Sequence, residues 1–286
     1  MSVLERNASE WEANARRNAL WAILTDRDRT EAAWDAEAFF ATGRVEVDGV
    51  LRALAAAGAG PNFQGCFLDF GCGVGRNTRA LAQRFAAGIG IDVSETMIAL
   101  ARQYSEDDTR RAAYSVNRRE GLPDMPDGCI DFVYCHIVLQ HLPPALQPVF
   151  IREFLRILKP GGIAAFQVPT EDLASRVQCL VRWGKSRLRA TLPSWLTARI
   201  RKLLGRGSEA APITMDMNLL PERRVAAIIR QHGCSLLAAP YTNSTDTSHR
   251  GALRFMTRHE ALTAVDSGVT DSRLLSQFFF VRKPAP

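Results

Sequence analysis

Two acidic residues and a glycine-rich loop are the part of this sequence best suited to hold a charged ligand. Asp69 lies at the end of an apolar run, and Asp92 ends the next apolar run, 23 residues later. Directly after Asp69, glycine occupies every second position of a loop, at Gly71, Gly73 and Gly75, before an apparent helix begins. Glycine lets a backbone approach a ligand closely, and a helix N-terminus supplies free N–H donors. The arrangement therefore predicts a binding site for a small ligand.

The elements around this loop follow from an alternation of short apolar runs with helical periods. The predicted strands are CFLDF, GIGID, AAYSV, CIDFVYC, IAAFQV, CSLLAAPY and SQFFFVRK. The predicted helices between them include NTRALAQRF, SETMIALARQYS, PALQPVFIREFLRILK and PERRVAAIIRQHG. This alternation is typical of the α/β class with a Rossmann-like, doubly wound sheet. Ligands bind at the carboxyl ends of the strands in such a sheet, which is where Asp69 and Asp92 are placed.

We divide the chain into an N-terminal helical segment, 1–60, and a main domain, 61–286. The N-terminal segment is rich in aromatic residues, and its apolar spacing predicts one helical stretch from Trp11 to Phe40 and another from Val45 to Ala57. Its tryptophans, Trp11, Trp21 and Trp34, are predicted to lie in the core, and a lid over the bound ligand is the alternative.

Two long connections, 170–217 and 242–275, interrupt the main domain. Connections of this length inside a compact domain are usually functional, so we expect both to influence which substrate binds. The first contains nine Lys/Arg and four Asp/Glu between Glu171 and Asp216, and we expect it to form a helical cap with its arginines facing outward. The second carries arginines at positions 250, 254 and 258, which would form one stripe on a helix and could receive an anionic substrate. Solvent exposure is the alternative for this stripe.

The loop favours S-adenosylmethionine over a dinucleotide as the ligand. A dinucleotide site has the spacing G-x-G-x-x-G, whereas here the third glycine comes one residue early and is followed by Arg76. The carboxylate of Asp69 would repel a pyrophosphate and attract a ligand with an ammonium or sulfonium group. Asp92 can accept hydrogen bonds from the ribose hydroxyls of either cofactor, so it supports a nucleoside without choosing between the two.

Four segments resemble the successive motifs of the class I S-adenosylmethionine-dependent methyltransferases of the small-molecule kind. They are LDFGCGVGRNTRALA, GIGIDVSETMIALAR, DGCIDFVYCHIVLQHLP and FLRILKPGGIAAFQV, and they occur in order and at distances similar to those of the family. The resemblance covers Cys66 to Val168 in sequence, Pro221 to Lys283 in topology only, and neither insertion. It implies an enzyme with the family's seven-stranded sheet, in which the last strand is antiparallel.

The resemblance also implies a role in binding S-adenosylmethionine for individual residues. Asp69 would lie near the methionine amino group, and Asp92 would hold the ribose. His136, which ends the fourth strand, would face the methyl group and the substrate and is the candidate general base. The other implied cofactor contacts lie in the loop and around the adenine: Gly71, Cys72, Gly73, Val93, Met97, Asn117 and Arg118.

Simpler structural roles compete with several of these assignments. Asp69 could be an acid that only faces the adjacent helix, and Asp92 could only cap the helix that follows it. Met97 is equally suited to the core. His141 lies five residues after His136 and is predicted to be structural.

Composition bears on the location of the protein and on whether it binds a metal. No apolar run approaches the roughly 20 residues of a membrane span, and the charged N-terminus lacks the apolar core of a signal peptide. We therefore expect a cytoplasmic protein. The six cysteines include no C-x-x-C pair, and no metal site is predicted.

These observations predict in-line methyl transfer from S-adenosylmethionine to a small-molecule acceptor, with the O, N, C or S nucleophile left open. One alternative is a nucleic-acid or protein methyltransferase that uses the basic cap. Because the chain has no Asn/Asp-Pro-Pro-Tyr-type tetrapeptide and no separate binding module, a nucleic-acid partner is disfavoured. The other alternative is a non-catalytic nucleotide-binding Rossmann protein. The oligomeric state is not predicted.

Overall fold

The computed structural model describes residues 3–24, 34–105, 111–173, 217–245, 253–266 and 274–285. Most of the predicted cap, 174–216, lies outside the described residues, as does part of the second insertion. Within the described ranges, no helix has both the length and the apolar character needed to cross a bilayer.

A nine-stranded sheet forms the centre of the described structure. Its strands are β1 Cys66–Phe70, β2 Ala87–Asp92, β3 Ala112–Val116, β4 Ile130–Cys135, β5 Leu158–Asp172, β6 Ser235–Ala238, β7 Tyr241–Thr242, β8 Phe255–Met256 and β9 Leu274–Arg282. The first five strands are parallel in the order β3-β2-β1-β4-β5, and β9 then pairs antiparallel with β5. The register places Asp69 of β1 between Gly90 of β2 and Tyr134 of β4. The carboxyl ends of these three strands therefore meet at one edge of the sheet.

The sheet confirms the predicted fold class and the antiparallel last strand, but its strand number differs from the predicted seven. The predicted strand CSLLAAPY is split into β6 and β7, which pair with different parts of β9 through Leu236–Val281 and Tyr241–Gln277. Pro240 lies at the split, and proline has no N–H to donate to a sheet ladder. The other additional strand, β8, was not predicted; it lies in the second insertion and pairs with β7.

Seven α-helices of the described ranges surround the sheet. They are α1 Val3–Ile23, α2 Ala36–Ala56, α3 Arg76–Ala82, α4 Glu95–Ser105, α5 Gln147–Ile157, α6 Glu222–Gln231 and α7 Arg258–Asp266. Helices α3, α4, α5 and α6 follow β1, β2, β4 and β5, which is the predicted alternation.

Neighbouring residues of a strand face opposite sides of the sheet, and both sides are covered. In β1, Leu68 packs in the cluster that contains Phe150 and Phe154 of α5. The adjacent Phe67 packs in the cluster that contains Leu54 of α2 and Leu81 of α3. Every residue of β4 is buried, as expected for a parallel strand between two helical layers.

The N-terminal helices differ from the prediction in their boundaries. Helix α1 is interrupted at Asn18, whose dihedral angles, φ −163° and ψ 93°, are not helical. Helix α2 starts after Asp35, whose side chain accepts a hydrogen bond from the Ala38 N–H at 2.8 Å. The predicted division between Phe40 and Val45 is wrong, because α2 passes through both as a single helix.

Candidate active site

The glycine loop joins β1 to α3 at the carboxyl edge of the sheet, and it needs glycine at all three predicted positions. Gly71, Gly73 and Gly75 have φ values of 74°, 54° and 84°, in the left-handed region that favours glycine. A Cβ atom at Gly71 would lie 2.3 Å from a methyl group of Val138, and one at Gly73 would lie 2.5 Å from Cδ1 of Ile23. The loop is therefore in close contact with Val138, from the turn after β4, and with Ile23 of α1.

Asp69 lies beneath this loop in a buried position. Its Oδ2 accepts a hydrogen bond of 2.6 Å from the Thr78 hydroxyl of α3, which is the helix-facing contact of the structural alternative. Burial raises the pKa of Asp69 to about 7, although the Thr78 hydrogen bond and the Arg76 charge act in the opposite direction. A cation bound next to this carboxyl would lower its pKa and so favour the ionised form.

Asp92 connects the glycine loop to the start of α4. Its two carboxylate oxygens accept hydrogen bonds of 2.9 Å from the backbone N–H groups of Gly73 and Ser94. The Ser94 hydroxyl in turn accepts from the Met97 N–H at 3.1 Å, so Ser94 caps α4. Burial raises the pKa of Asp92, whereas these backbone hydrogen bonds lower it. The carboxylate thus lies at the end of β2, where the predicted ribose contact requires it.

The residues predicted to surround the adenine lie near Asp92, with contacts of their own. The Asn117 N–H donates to the carbonyl of Asp92 at 2.9 Å, and the Asn117 side chain donates to the Gly121 carbonyl at 2.8 Å. Arg118 donates to the Val93 carbonyl at 3.3 Å. Met97 is buried in the cluster formed by α1 and α2, which is the core role that the sequence left open.

Helix α1 supplies a carboxylate that the sequence prediction missed. Glu12 accepts hydrogen bonds from the hydroxyls of Ser94 and Thr96 and from the Thr96 N–H, at the start of α4. Burial raises the pKa of Glu12, but the hydrogen bonds from Thr96 and Ser94 outweigh burial and lower this pKa to about 2. An acidic residue at a helix N-terminus is stabilising, so Glu12 fixes α1 beside the glycine loop. Nothing in the local pattern of α1 distinguishes Glu12 from an exposed acid.

Glu46 of α2 is the centre of a buried hydrogen-bond network that includes the predicted base His136. Its Oε1 accepts from the Tyr134 hydroxyl at 2.7 Å and from Asn77 at 2.8 Å, and lies 2.7 Å from His136 Nδ1. Its Oε2 accepts from the Arg76 guanidinium at 2.8 Å. Burial favours the neutral carboxyl, but the charges and hydrogen bonds around it outweigh burial and hold the pKa of Glu46 well below its usual range. Glu46 is therefore ionised.

The sequence contains a signal for Glu46 that the prediction did not use. Counting along α2, Glu46 shares one face with Phe39, Gly43, Val50 and Leu54, all of them buried. A charged residue in an apolar stripe of a helix must have a partner, because an unpaired buried charge is very costly. The identity of the partners could not be predicted, because they come from α3 and from the end of β4, which lie far along the chain.

The other ring nitrogen of His136 reaches the second insertion. His136 Nε2 lies 2.8 Å from the hydroxyl of Ser244, and this hydroxyl lies 2.8 Å from that of Thr242. Ser244 follows β7, so the insertion contacts the predicted base directly.

Ile137, the residue after His136, has an unusual backbone conformation. Its φ of 58° is in the left-handed region, which is costly for a β-branched residue. The Ile137 N–H donates to Oε1 of Gln167 at 3.0 Å, and Gln167 also bonds Gln140. Strain of this kind persists where the surroundings enforce it, and it frequently accompanies a functional site.

His141 has contacts that fit its predicted structural role. It is buried, its ring meets Trp11 edge to face at 5.2 Å, and its carbonyl accepts from Asn7 at 2.9 Å. His141 therefore helps to hold α1 against the domain.

The predicted arginine stripe does not form a single helical face. Arg254 precedes strand β8, and Arg258 begins α7, so a strand separates them. Arg258 binds Glu171 through two hydrogen bonds of 3.0 and 2.7 Å. Position 250 lies outside the described residues. Among the described residues, no group of three or more His, Cys, Asp or Glu side chains could hold a metal ion.

The raised pKa of Asp69 predicts a pH dependence of stability. The folded-state pKa of about 7 exceeds the usual value of 3.8, so the folded state binds more protons than the unfolded state between these values. Stability from this group is present at low pH and is lost as the pH rises towards 7, by an amount on the order of 2 kcal/mol between pH 5 and pH 8. Asp69→Asn should remove this decrease, which urea unfolding at both pH values would measure. Parallel pH dependences for wild type and variant would contradict the expectation.

The central part of the chain is similar in sequence to known methyltransferases. Residues 68–166 match a family model described as a methyltransferase domain. The chain is 32% identical over 114 residues to a ubiquinone biosynthesis O-methyltransferase of Methylococcus capsulatus, an alignment that covers 40% of this chain and 47% of that protein. The chain thus spans about half the length of the curated relatives it matches.

Two solved structures share the fold at low sequence identity. The (4+2)-cyclase SpnF has a TM-score of 0.59 at 17% identity, covering 100% of this chain and 98% of that one. The magnesium protoporphyrin IX methyltransferase of Synechocystis, solved with bound SAH, has a TM-score of 0.54 at 17% identity, covering 96% of this chain and 97% of that one. Both confirm the Rossmann-like architecture.

Proposed function

We propose that this chain, which carries a methyltransferase domain of the class I S-adenosylmethionine-dependent family and has S-adenosylmethionine as its cofactor, transfers the methyl group to a small organic acceptor. The observation that carries the proposal is the meeting of Asp69, Asp92 and His136 at the carboxyl ends of three adjacent parallel strands. The relative that acts in ubiquinone biosynthesis as an O-methyltransferase supports a small-molecule acceptor.

The proposed binding roles are those that the family resemblance implies, applied to residues that lie together at the carboxyl edge of the sheet. Asp69, ionised by the approach of the methionine ammonium group, would stabilise the amino-acid end of the cofactor. Asp92 would accept hydrogen bonds from the ribose hydroxyls. The loop residues Gly71, Cys72 and Gly73 would pass under the cofactor. The adenine would lie among Val93, Met97, Asn117 and Arg118.

The chemistry needs little from the protein beyond alignment. Methyl transfer from a sulfonium is an in-line displacement, so the site must align the nucleophile with the methyl carbon and exclude water. A general base is required only when the nucleophile must lose a proton. His136, which directly follows β4 and precedes the strained Ile137, is the residue that we propose as that base.

The two alternative functions have weaker support. The basic segment that would bind a nucleic acid or protein lies outside the described residues, so no contact of the structure supports it. The alternative of a non-catalytic nucleotide-binding protein gains no support from the likeness to a (4+2)-cyclase, because similarity at 17% identity shows only a shared fold. A fold alone does not determine a reaction.

Calorimetry and a transfer assay test the proposal in two steps. S-adenosylhomocysteine should bind in the micromolar range, whereas NAD should not bind. S-adenosylmethionine with a radioactive methyl group should then label small acceptors, among which phenols such as catechol are tried first because the relative is an O-methyltransferase. Failure to bind S-adenosylhomocysteine would reject the cofactor site. Binding without labelling of any acceptor would favour the alternative functions.

A further inference from the structure

The carboxyl end of β4 holds a chain of three polar side chains that the proposed methyl transfer does not by itself require. Glu46 Oε1 lies 2.7 Å from His136 Nδ1, and His136 Nε2 lies 2.8 Å from Ser244 Oγ. All three side chains belong to buried residues. They come from α2, the end of β4 and the second insertion, which are remote in sequence.

Hydrogen-bond chemistry gives this chain a direction. An ionised Glu46 can only accept, so Nδ1 of a neutral His136 is the donor and its Nε2 is an acceptor. The Ser244 hydroxyl must therefore donate to Nε2. The Thr242 hydroxyl oxygen accepts from the Ser244 N–H at 3.4 Å, and its own proton is directed to Ser244 Oγ.

One acceptor position of Ser244 then has no partner among these groups. A serine oxygen has two lone pairs, and Thr242 uses one of them. The second lone pair can accept a hydrogen bond from an incoming hydroxyl. A proton lost by that hydroxyl has a continuous route through Ser244 to His136.

We propose that Ser244, His136 and Glu46 form a proton relay that activates a hydroxyl group of the acceptor, so that the enzyme is an O-methyltransferase. The inference rests on the proposed function. The O–H bond of the acceptor breaks and its proton passes to Ser244 Oγ, while the Ser244 proton passes to His136 Nε2. The acceptor oxygen forms the new bond to the methyl carbon as the carbon–sulfur bond breaks, and the bonding pair stays on sulfur.

Glu46 is a positioning residue in this relay. Its carboxylate fixes the ring so that Nε2 faces Ser244, and its negative charge stabilises the imidazolium that forms. The neighbouring Arg76 and Tyr134 bind the same carboxylate and keep it in place. Ser244 is the group that touches the acceptor.

Two acceptors of different acidity separate proton removal from structural effects. At about pH 8 the hydroxyls of catechol are still protonated, like the phenol of tyrosine, whereas the electron-withdrawing nitro group leaves 4-nitrocatechol largely ionised. An ionised acceptor needs no base. Ser244→Ala and Glu46→Gln should therefore lower kcat for catechol by about 100-fold, the usual contribution of a general base, and should lower kcat for 4-nitrocatechol only a few-fold.

The controls distinguish the relay from the fold and from the proposed function. Asp48→Asn changes an exposed carboxylate on the same helix as Glu46 and should leave both rates unchanged. S-adenosylhomocysteine should bind both relay variants as it binds wild type in calorimetry. Equal losses for the two acceptors, or no methylation of either by a wild type that binds S-adenosylhomocysteine, would overturn the relay. Absence of S-adenosylhomocysteine binding by wild type would overturn the proposed function, and the relay with it.

Discussion

Glu46→Ala is expected to lower the free energy of unfolding by about 3–5 kcal/mol, the usual cost of breaking a buried ion pair from one side. The Arg76 side chain is only 4% exposed, so the substitution leaves its charge buried without a carboxylate. Tyr134, His136 and Asn77 lose the same acceptor. Urea unfolding followed by tryptophan fluorescence would measure the change.

Asp48→Ala is the matched control on the same helix. Its partner, Arg84, and Asp48 itself are 53% and 36% exposed, and exposed pairs contribute at most about 1 kcal/mol. A Glu46→Ala variant no less stable than Asp48→Ala would show that the network around Glu46 contributes little to the fold.

Asp92→Ala should weaken the binding of S-adenosylhomocysteine by about 100-fold or more. A hydrogen bond to a charged group contributes about 1.5–3 kcal/mol, and two ribose hydroxyls would each lose one. The substitution also releases the N–H groups of Gly73 and Ser94 that form part of the loop. Isothermal calorimetry of the folded variant measures the dissociation constant.

Glu95→Ala controls for a change of charge near the same helix start. Glu95 is exposed and pairs with Arg118 at 3.1 Å, so its removal should change the dissociation constant about two-fold or less. An Asp92→Ala variant with the affinity of wild type would remove Asp92 from the cofactor site and leave it the capping role that the sequence also allowed.

Local patterns were sufficient to predict the central α/β unit. The alternation from Cys66 to Val168 depends on side-chain periodicity, which each element shows by itself. Residues 68–166 of this unit match the methyltransferase-domain model, in agreement with the resemblance of their motifs. The positive φ values of Gly71, Gly73 and Gly75 confirm that the loop needs residues without a Cβ. The cofactor contacts of individual residues stay predictions.

The contacts of the candidate site were not predictable, because they join residues far apart in sequence. Glu46 and His136 are separated by 90 positions, and Ser244 lies a further 108 along the chain. Glu12 looks like any exposed acid of an amphipathic helix until α1 is packed against α4. The left-handed conformation of Ile137 has no sequence signal at all, since it is enforced by its surroundings.

The interruption between β6 and β7 at one side of the sheet affects the tendency of this chain to aggregate at high concentration. A long open edge is a template on which a second molecule can add a strand, which is a route to aggregation. Here β6 has four residues and β8 only two, and Pro240 interrupts the ladder between β6 and β7. A foreign strand would find few consecutive hydrogen-bonding groups on this side. A substitution of Pro240 that joined β6 and β7 into one longer strand would therefore favour aggregation.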